Sequence, residues 1–215
     1  MSPYPLKHLP TTREIVHDLI PRYAKGLTLD VGAGTAKYRE FIRAHVTDYK
    51  ASDIEKGPHI DFVESALSLS HADRTFDTVL SFQTLEHVED PNKVLSELRR
   101  VLRPGGVCVL TVPFLMAEHS VPSDYRRYTV EGAVTAFKDE RFEIIEAGAY
   151  GGTCTVLAEG LKFFFIHPWL GRTYGRIRRT IVERLMCLLY ALDRRGWFSN
   201  PYFYANVYIV AQKPL

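Results

Sequence analysis

The stretch LTLDVGAGTAKY, residues 27–38, decides which fold the rest of the chain can adopt. Its first five residues form a short apolar run with alternating, β-branched character, which predicts a buried strand. Gly32 and Gly34 follow, and the segment Ala36–Val46 then predicts a helix. This layout brings the backbone close to a nucleotide-like ligand, because glycine leaves room for the approach and permits the backbone angles of the turn. The start of the helix would add N–H groups suited to a carboxylate or phosphate.

The spacing of the glycines separates two kinds of nucleotide site. A dinucleotide site needs G-x-G-x-x-G after a strand, and Lys37 stands where the third glycine belongs. The chain has D-x-G-x-G instead: Asp30 precedes Gly32, and Ala33 separates Gly32 from Gly34. Taken alone, the turn fits almost equally well a tight strand-to-helix connection that holds no ligand.

Length and composition indicate an ordinary globular protein. Of 215 residues, 46% are hydrophobic and 24% are charged, so we expect one domain spanning residues 1–215. The three cysteines form no C-x-x-C pair, so neither a metal site nor a disulfide framework is expected. The N-terminus lacks a signal-peptide core, and no segment reaches the ~18 apolar residues of a membrane span, which favours a cytoplasmic protein. A nucleic-acid partner is not expected, since the chain has neither an overall basic surface nor a recognisable binding motif.

A second acid follows the glycine turn at a distance that suits a ribose. The segment DYKASD predicts a strand that ends at Asp53, 23 positions after Asp30. An acid at the end of the second strand, about 20 residues past the turn, can accept both hydrogen bonds of a ribose diol. Ile54 beside it would offer an apolar surface to an adenine. The alternative is that Asp53 is only a helix cap or turn residue.

Four segments in a fixed order connect this chain to a known family. LDVGAG, FDTVLS, LEHVEDP and LRRVLRPGGVCVLTVP together resemble the methyltransferase type 11 group of class I S-adenosylmethionine-dependent methyltransferases, which includes quinone-biosynthesis methyltransferases. The resemblance covers about residues 27–113. It implies an α/β fold, a Rossmann-like, doubly wound, seven-stranded, mostly parallel sheet with helices on both faces. S-Adenosylmethionine would lie across the carboxyl ends of strands one, two and four, as the switch-point rule also expects.

The second half of the chain agrees with this fold. FEIIEA (142–147) and YFYANVYIVAQK (202–213) predict strands that would form the antiparallel edge of the sheet. Between them, residues 151–200 would form a helical insertion or cap within the single domain.

The resemblance also implies a set of cofactor residues. The chain departs from the family pattern at Ala36, where a glycine is usual, and at Ser65, which takes the place of an aspartate that contacts adenine. The cofactor-binding residues expected on this basis are Asp30, Gly32, Ala33, Gly34, Asp53, Ile54, Ser65, Ala66 and Gln83.

Two segments should face the transferred methyl group: the exit of the fourth strand, which contains Glu86 and His87, and the segment after the fifth strand. Methyl transfer is an in-line displacement, in which alignment supplies much of the acceleration. A hydroxyl acceptor would also benefit from a base, which histidine supplies most readily. We expect His119 to be that base, with Asp124 orienting it. His87 is the second candidate, although in the family the Glu-His pair often orders the loop.

The run H-x-x-P-x-D-Y-x-R-Y-T resembles a pattern of methyltransferases of this group, including members linked to glycan pathways. Arginine pairs suit bidentate binding of a carboxylate or phosphate. We therefore expect Arg126, Arg127 and Tyr128 to bind the substrate. The alternative is that Asp124 simply pairs with Arg126 or Arg127.

Residues 161–195 combine an aromatic run with a basic amphipathic segment. Residues 172–195 contain seven arginines and only two acidic residues, Glu183 and Asp193. This segment either rests on anionic lipid or closes over a greasy substrate, or it packs on its own domain or on a dimer mate, which is the commoner use of an amphipathic helix.

Three functions follow from these observations. The leading one is methyl transfer to a small or lipid-linked acceptor, at a hydroxyl of a saccharide-like or phosphorylated molecule. The second is C-methylation of a quinone-like lipid in an apolar pocket built from residues 163–165 and Trp169. The third is a non-catalytic membrane- or partner-binding module with a vestigial cofactor site, which only Ala36 and Ser65 support.

Overall fold

The computed structural model describes residues 3–118, 123–166 and 176–215, which form one eight-stranded sheet with helices on both faces. The strands are β1 (Leu6–Lys7), β2 (Leu27–Val31), β3 (Asp48–Asp53), β4 (Phe62–Val63), β5 (Phe76–Phe82), β6 (Leu102–Pro113), β7 (Glu143–Tyr150) and β8 (Asn206–Gln212). The helices are α1 (Thr12–Tyr23), α2 (Arg39–Arg43), α3 (Pro91–Val101), α4 (Val130–Asp139), α5 (Thr153–Ile166) and α6 (Arg176–Arg194), with a 3-10 turn at Leu85–His87.

The strand order is β1-β7-β8-β6-β5-β2-β3-β4. Among the described strands only β8 is antiparallel, and it pairs with both β6 and β7. The predicted doubly wound, mostly parallel sheet is therefore confirmed, as is the helical insertion before its last strand. Because β7 and then β1 lie outside β8, the antiparallel strand lies two places inside the edge.

An eighth strand, β1, extends the predicted seven. This strand is not expected from the sequence. Leu6 pairs with Ala149 of β7 in parallel register. The Lys7 ammonium lies 2.9 Å from the Glu146 carboxylate and 2.5 Å from that of Asp18, which fastens this two-residue strand to β7 and to α1.

The sheet separates two cores, because successive side chains along a strand point to opposite faces. One core joins Leu29 and Val79 to the apolar stripes of α3 and α4. The other joins Ala51 and Leu80 to α1 and α2. The chain visits β3 and β4 on one side of β2 and then crosses to β5 on the other, so the topological switch point lies at the carboxyl ends of β2 and β5.

The helix after the glycine turn is shorter than predicted. The sequence predicts it over Ala36–Val46, whereas α2 spans only Arg39–Arg43. Ala36 has a φ of 51°, outside the range of a right-handed helix, and its N–H donates to the Ala33 carbonyl at 2.8 Å in a turn. A loop, and not the start of a helix, therefore follows β2.

The insertion between β7 and β8 consists of α5 and α6. Asp193, near the end of α6, is buried, and its Oδ2 accepts hydrogen bonds of 3.0 Å from the Gly152 N–H and the Thr155 hydroxyl. These bonds tie the end of α6 to the start of α5. In the described part of the chain, no helix has the length and apolar character needed to cross a membrane.

Candidate functional site

The glycine turn is fitted tightly on one side and open on the other. The N–H groups of Gly32 and Ala33 donate to the Ser52 carbonyl at 2.9 and 3.1 Å, which ties the turn to β3. Gly32 has a φ of 72°, and a Cβ there would lie 2.3 Å from Cγ2 of Thr84, so no other residue fits. Gly34 also has a positive φ, 58°, but a Cβ there would meet nothing within 4 Å. Its backbone is therefore open to a ligand.

A cavity of about 220 Å³ lies above this turn, at the switch point of the sheet. Its walls come from the end of β2, the glycine loop and the end of β5. The lining residues are Asp30, Gly32, Ala33, Gly34, Thr35, Lys37, Tyr38, Phe82 and Gln83. Five of the nine predicted cofactor residues thus line one cavity.

Asp30 is a buried carboxylate in the wall of the cavity. Its side chain is 3% exposed, and its Oδ2 accepts a hydrogen bond of 2.6 Å from the Tyr49 hydroxyl. Burial raises the pKa of Asp30 to about 6; the Tyr49 hydrogen bond opposes this shift, the charge of Asp53 adds to it, and that of Lys37 opposes it. Asp30 is therefore mostly charged at neutral pH and suits a cationic group of a ligand.

Asp53 lies beside the cavity at the end of β3. Its Oδ2 accepts the Gly34 N–H at 2.7 Å and its Oδ1 accepts the Glu55 N–H at 3.0 Å. A carboxylate has about four acceptor positions, so each oxygen retains capacity for one hydroxyl of a diol. Ile54, next to it, is 70% exposed.

Ser65 and Ala66 follow the short strand β4, which pairs with β3 at the same edge of the sheet. The Ser65 hydroxyl accepts the Leu67 N–H at 3.2 Å, and Ala66 packs against the core. The structure does not bring either residue into the lining of the cavity above the glycine turn.

Gln83 forms the far wall of the cavity in a left-handed conformation, with a φ of 55°. Its side-chain amide donates to the Thr111 hydroxyl at 3.2 Å and to the Tyr150 hydroxyl at 3.1 Å. Gln83 therefore links the end of β5 to β6 and β7. These two hydrogen bonds fix its side chain at the wall of the cavity.

His87 orders the loop after β5. Its Nδ1 lies 2.6 Å from the Ser123 carbonyl, which can only accept, so Nδ1 must be the donor. Its Nε2 lies 3.8 Å from Oε1 of Glu86. The contact to residue 123 joins the β5 exit to the segment that follows β6.

Asp124 and Arg127 form a bidentate ion pair, in which Nη1 donates to Oδ1 and Nη2 donates to Oδ2 at 2.6 Å. The structure shows the pair of Asp124 with Arg127, while the orientation of His119 by Asp124 stays a prediction because His119 lies outside the described residues. Arg127 also donates to the carbonyls of Met116 and Ala117 at 3.3 and 3.1 Å, so it fastens the segment internally. Its role in substrate binding stays a prediction.

Arg126 contacts the loop after β5 and lies beside Tyr128. Nη2 of Arg126 donates to the Glu89 carbonyl at 2.7 Å. Within the described part of the chain, its Nη1 and the Tyr128 hydroxyl are both buried without a hydrogen-bond partner. Burial raises the pKa of Tyr128, against the charge of Arg126. His119, the predicted base, lies outside the described residues.

Four lining residues are not among those expected from the sequence: Thr35, Lys37, Tyr38 and Phe82. Lys37 stands out in the sequence only because it breaks the dinucleotide pattern, yet it lines the cavity together with Asp30. Burial lowers its pKa, and the charge of Arg13 adds to this effect. Tyr38 and Phe82 meet edge to face at a centroid distance of 5.9 Å and add an aromatic wall. The loop that follows the two glycines was the available signal for Lys37 and Tyr38.

The geometry agrees with what comparison to known proteins shows. Residues 29–110 match the family model of a methyltransferase domain, type 11. The match covers less than half of the chain. It supports the predicted resemblance to the class I S-adenosylmethionine-dependent methyltransferases and, with it, S-adenosylmethionine as the cofactor.

Particular relatives are partial matches. The chain is 38% identical over 98 residues to the ubiquinone/menaquinone biosynthesis C-methyltransferase UbiE of Desulfotalea psychrophila, which covers 39% of this chain and 40% of that protein. It is 30% identical over 109 residues to the ubiquinone biosynthesis O-methyltransferase of Erwinia tasmaniensis, covering 41% of this chain and 44% of that protein. The matched region thus spans less than half the length of either relative.

A solved structure extends the likeness over nearly the whole chain. The [4+2]-cyclase SpnF has a TM-score of 0.62 and 20% identity, covering 94% of this chain and 80% of that one. At this identity the likeness establishes the fold, and the reaction has to be argued from the site itself.

Proposed function

We propose that this protein transfers the methyl group of S-adenosylmethionine to a small or lipid-linked acceptor, at a hydroxyl of a saccharide-like or phosphorylated molecule. The observation that supports it most directly is the cavity above the glycine turn, in which Gly34 has no neighbour for a Cβ and Asp53 lies alongside.

The cavity offers a group for each part of the cofactor. The Asp30 carboxylate and the Lys37 ammonium suit the amino and carboxylate ends of the methionyl part. Asp53 would accept the ribose diol. The exposed Ile54 would cover the adenine, with Ser65 and Ala66 further along the edge.

The acceptor would approach from the segment after β6. Transfer from a sulfonium is an in-line displacement, so the protein has to hold the nucleophile, methyl and sulfur in one line. The contact between His87 and the Ser123 carbonyl holds this segment against the β5 exit. The Arg126 guanidinium lies beside the Tyr128 hydroxyl, and this pair of groups favours an acceptor with an anionic or polyhydroxyl group. His119 remains the base that the sequence predicts.

Binding of S-adenosylhomocysteine, measured by calorimetry, tests the cofactor part of this proposal. We expect the wild type to bind, and we expect Asp53→Asn to weaken binding at least tenfold, because hydrogen bonds to a charged group contribute about 1.5–3 kcal/mol. Asp48→Asn is the matched control, since Asp48 is an exposed carboxylate at the opposite end of the same strand. No heat and no thermal shift with millimolar ligand would refute the proposal.

A quinone-like acceptor is the second candidate. The curated relatives support it, as does a cavity of about 380 Å³ at the carboxyl end of β6, which Tyr4, Phe114, Tyr202 and Tyr204 line. The pocket expected from residues 163–165 gains no support, since Phe163 and Phe164 are 40% and 67% exposed and Trp169 lies outside the described residues. Turnover of a demethylated quinol but of no polar hydroxyl acceptor would favour this candidate.

A further inference from the structure

The carboxyl group of Glu86 is buried, and Nε2 of His87 lies 3.8 Å from its Oε1. Glu86 lies on the 3-10 turn that leaves β5, three residues after Gln83, and its side chain is 0% exposed. Within residues 3–118, 123–166 and 176–215, neither of its two oxygens has a hydrogen-bond partner. A buried carboxyl without a hydrogen bond is costly for a fold, so its presence at the edge that carries the cofactor cavity requires a reason.

Two more unpartnered atoms come from the segment beside it. Nη1 of Arg126 and the hydroxyl of Tyr128 are also buried and unpaired, so four of the ten such atoms recorded in the described part of the chain belong to these three side chains. Glu86 and Tyr128 interact electrostatically, as do Tyr128 and Arg126. The three side chains therefore form a polar cluster with one acid, one cation and one phenol. Such a cluster suits a ligand that both donates and accepts hydrogen bonds.

The cluster adjoins the cofactor cavity through Tyr150. Glu86 interacts electrostatically with Tyr150, and the Tyr150 hydroxyl receives the amide of Gln83, which lines the cavity. Tyr150 also meets the Thr12 hydroxyl at 3.0 Å. Through the bond to Gln83, Tyr150 connects to the cofactor cavity.

We propose that Glu86 is the base that takes the proton of the acceptor hydroxyl, and that Arg126 and Tyr128 hold an acidic group of the same acceptor. The acceptor class is then a hydroxyl compound that carries a carboxylate or phosphate. In the step, the hydroxyl oxygen forms a bond to the methyl carbon and the sulfur–methyl bond breaks. The sulfur keeps the electron pair as S-adenosylhomocysteine leaves, and the hydroxyl proton passes to a Glu86 oxygen and then to solvent.

The electrostatic surroundings agree with this role. Burial raises the pKa of Glu86 to about 7; its own backbone N–H and the charge of Arg127 oppose the shift, and the charge of Asp124 adds to it. A base with a pKa near the operating pH is the most effective one. The charged or titratable groups that face the carboxyl from neighbouring elements are His87, Asp124, Arg127, Tyr128 and Tyr150.

This inference rests on the proposed methyl transfer, and its test separates the two. Methyl transfer from tritiated S-adenosylmethionine is measured to glucose 6-phosphate and 3,4-dihydroxybenzoate, with glucose and catechol as their uncharged matches. We expect an acidic acceptor to be methylated and its uncharged match to be methylated at least tenfold less. Failure of every acidic acceptor, or equal turnover of the uncharged ones, would overturn the inference.

Substitutions of Glu86 and Arg126 then test which side chain takes the proton and which one binds the acidic group. Glu86→Gln should lower kcat by about 100-fold or more, in the range of general-base effects, while the Kd for S-adenosylhomocysteine stays within twofold. Wild-type kcat should rise with pH to a plateau above about 7, and Glu86→Asp should restore part of the rate with a displaced inflection. Arg126→Gln should raise KM for the acidic acceptor at least tenfold and leave kcat nearly unchanged.

Two results would contradict the inference. If Glu86→Gln keeps the wild-type rate and pH profile while His119→Ala removes both, His119 is the base and the inference is wrong. If wild-type protein does not bind S-adenosylhomocysteine, the proposed function itself fails and this inference fails with it. Thermal unfolding and retained S-adenosylhomocysteine binding show whether each variant is folded.

Discussion

Gly32 and Gly34 are two residues apart, and their surroundings differ. Gly34→Ala should cost only about 1 kcal/mol of stability, the usual cost of a left-handed alanine, because a Cβ there meets nothing. It should nevertheless weaken S-adenosylhomocysteine binding at least tenfold, since the added carbon occupies the open side of the cavity. Chemical denaturation and calorimetry measure the two effects.

The matched variant Gly32→Ala should mainly lower the stability of the fold. Its Cβ would overlap the Thr84 side chain, so we expect a loss of about 3 kcal/mol from strain and overpacking together. Ala36→Gly is a second control, because it relieves a positive φ in the same loop and should leave affinity unchanged. Undiminished binding by Gly34→Ala would mean that the open side of Gly34 does not face the cofactor.

Glu86 should make stability depend on pH in a particular window. A carboxyl whose pKa is raised in the folded state binds its proton more tightly there, so its contribution is fully present below about pH 4.5 and is lost as pH rises to about 7. The loss is about 3.5 kcal/mol, because the pKa rises from 4.5 to about 7 and each pKa unit corresponds to about 1.4 kcal/mol. Glu86→Gln should remove this decline, as urea denaturation at a series of pH values would show.

Glu97 should make stability depend on pH in the opposite direction from Glu86. Hydrogen bonds from Arg100 and from the Leu69 N–H lower its pKa despite burial, so it contributes stability that is present at neutral pH and is lost as pH falls through the folded-state pKa. Glu97→Gln should therefore destabilise the fold at pH 7, where Glu86→Gln stabilises it. Parallel pH profiles for the two variants would contradict the assignment for Glu86.

At the scale of single residues, motif spacing could predict the cavity but not the surroundings of Glu86. Asp30, Gly32 and Gly34 are close in sequence and their roles follow from a strand and a turn. The surroundings of Glu86 are set in space, since the charge of Arg127, 41 positions away along the chain, acts on its carboxyl. No local pattern in LEHVEDP reports which hydrogen bonds its carboxyl lacks.

Among the elements, α6 presents an apolar stripe together with arginines. Ile181, Leu185 and Leu188 are 61%, 40% and 54% exposed, and Arg184 lies between them in sequence. An apolar face flanked by cations suits the surface of an anionic bilayer. We expect the protein to co-sediment with vesicles that contain anionic lipid and not with zwitterionic ones.

The variant Leu185→Asp with Leu188→Asp should abolish that co-sedimentation, because it places two acids on the stripe. Val63→Asp is the matched control, since Val63 is a comparably exposed apolar residue (58%) on β4, at the edge of the sheet. If vesicle binding survives the double substitution, or if the wild type does not bind vesicles, the apolar stripe of α6 does not bind anionic lipid.

Strands and helices with a clear period were predicted well, and irregular connections were not. The strand predicted over the first five residues of the 27–38 stretch matches β2, and the one predicted over DYKASD matches β3. The helix after the glycine turn was overestimated, because helical propensity over residues 36–46 does not reveal that Ala36 takes a positive φ. The turn at Ala36 is set by its contacts with the rest of the loop.

For the whole molecule, the strand order followed from family resemblance and not from local pattern. Nothing in the residues of β6, β7 and β8 states which pairs with which. β1 escaped prediction for a related reason: two residues, Leu6 and Lys7, have no period, and they are a strand only because β7 offers a free edge and Glu146 binds the lysine.

The position of β8 has a consequence for synthesis of the protein on the ribosome. β7 is joined to the main sheet only through β8, and residues 151–205 are translated between the two strands. At about 5–20 residues per second this takes roughly 3 to 11 seconds, during which β6 has no partner along one side. A nascent chain at that stage carries an open apolar strand edge, so chaperones and neighbouring nascent chains compete for it until β8 emerges.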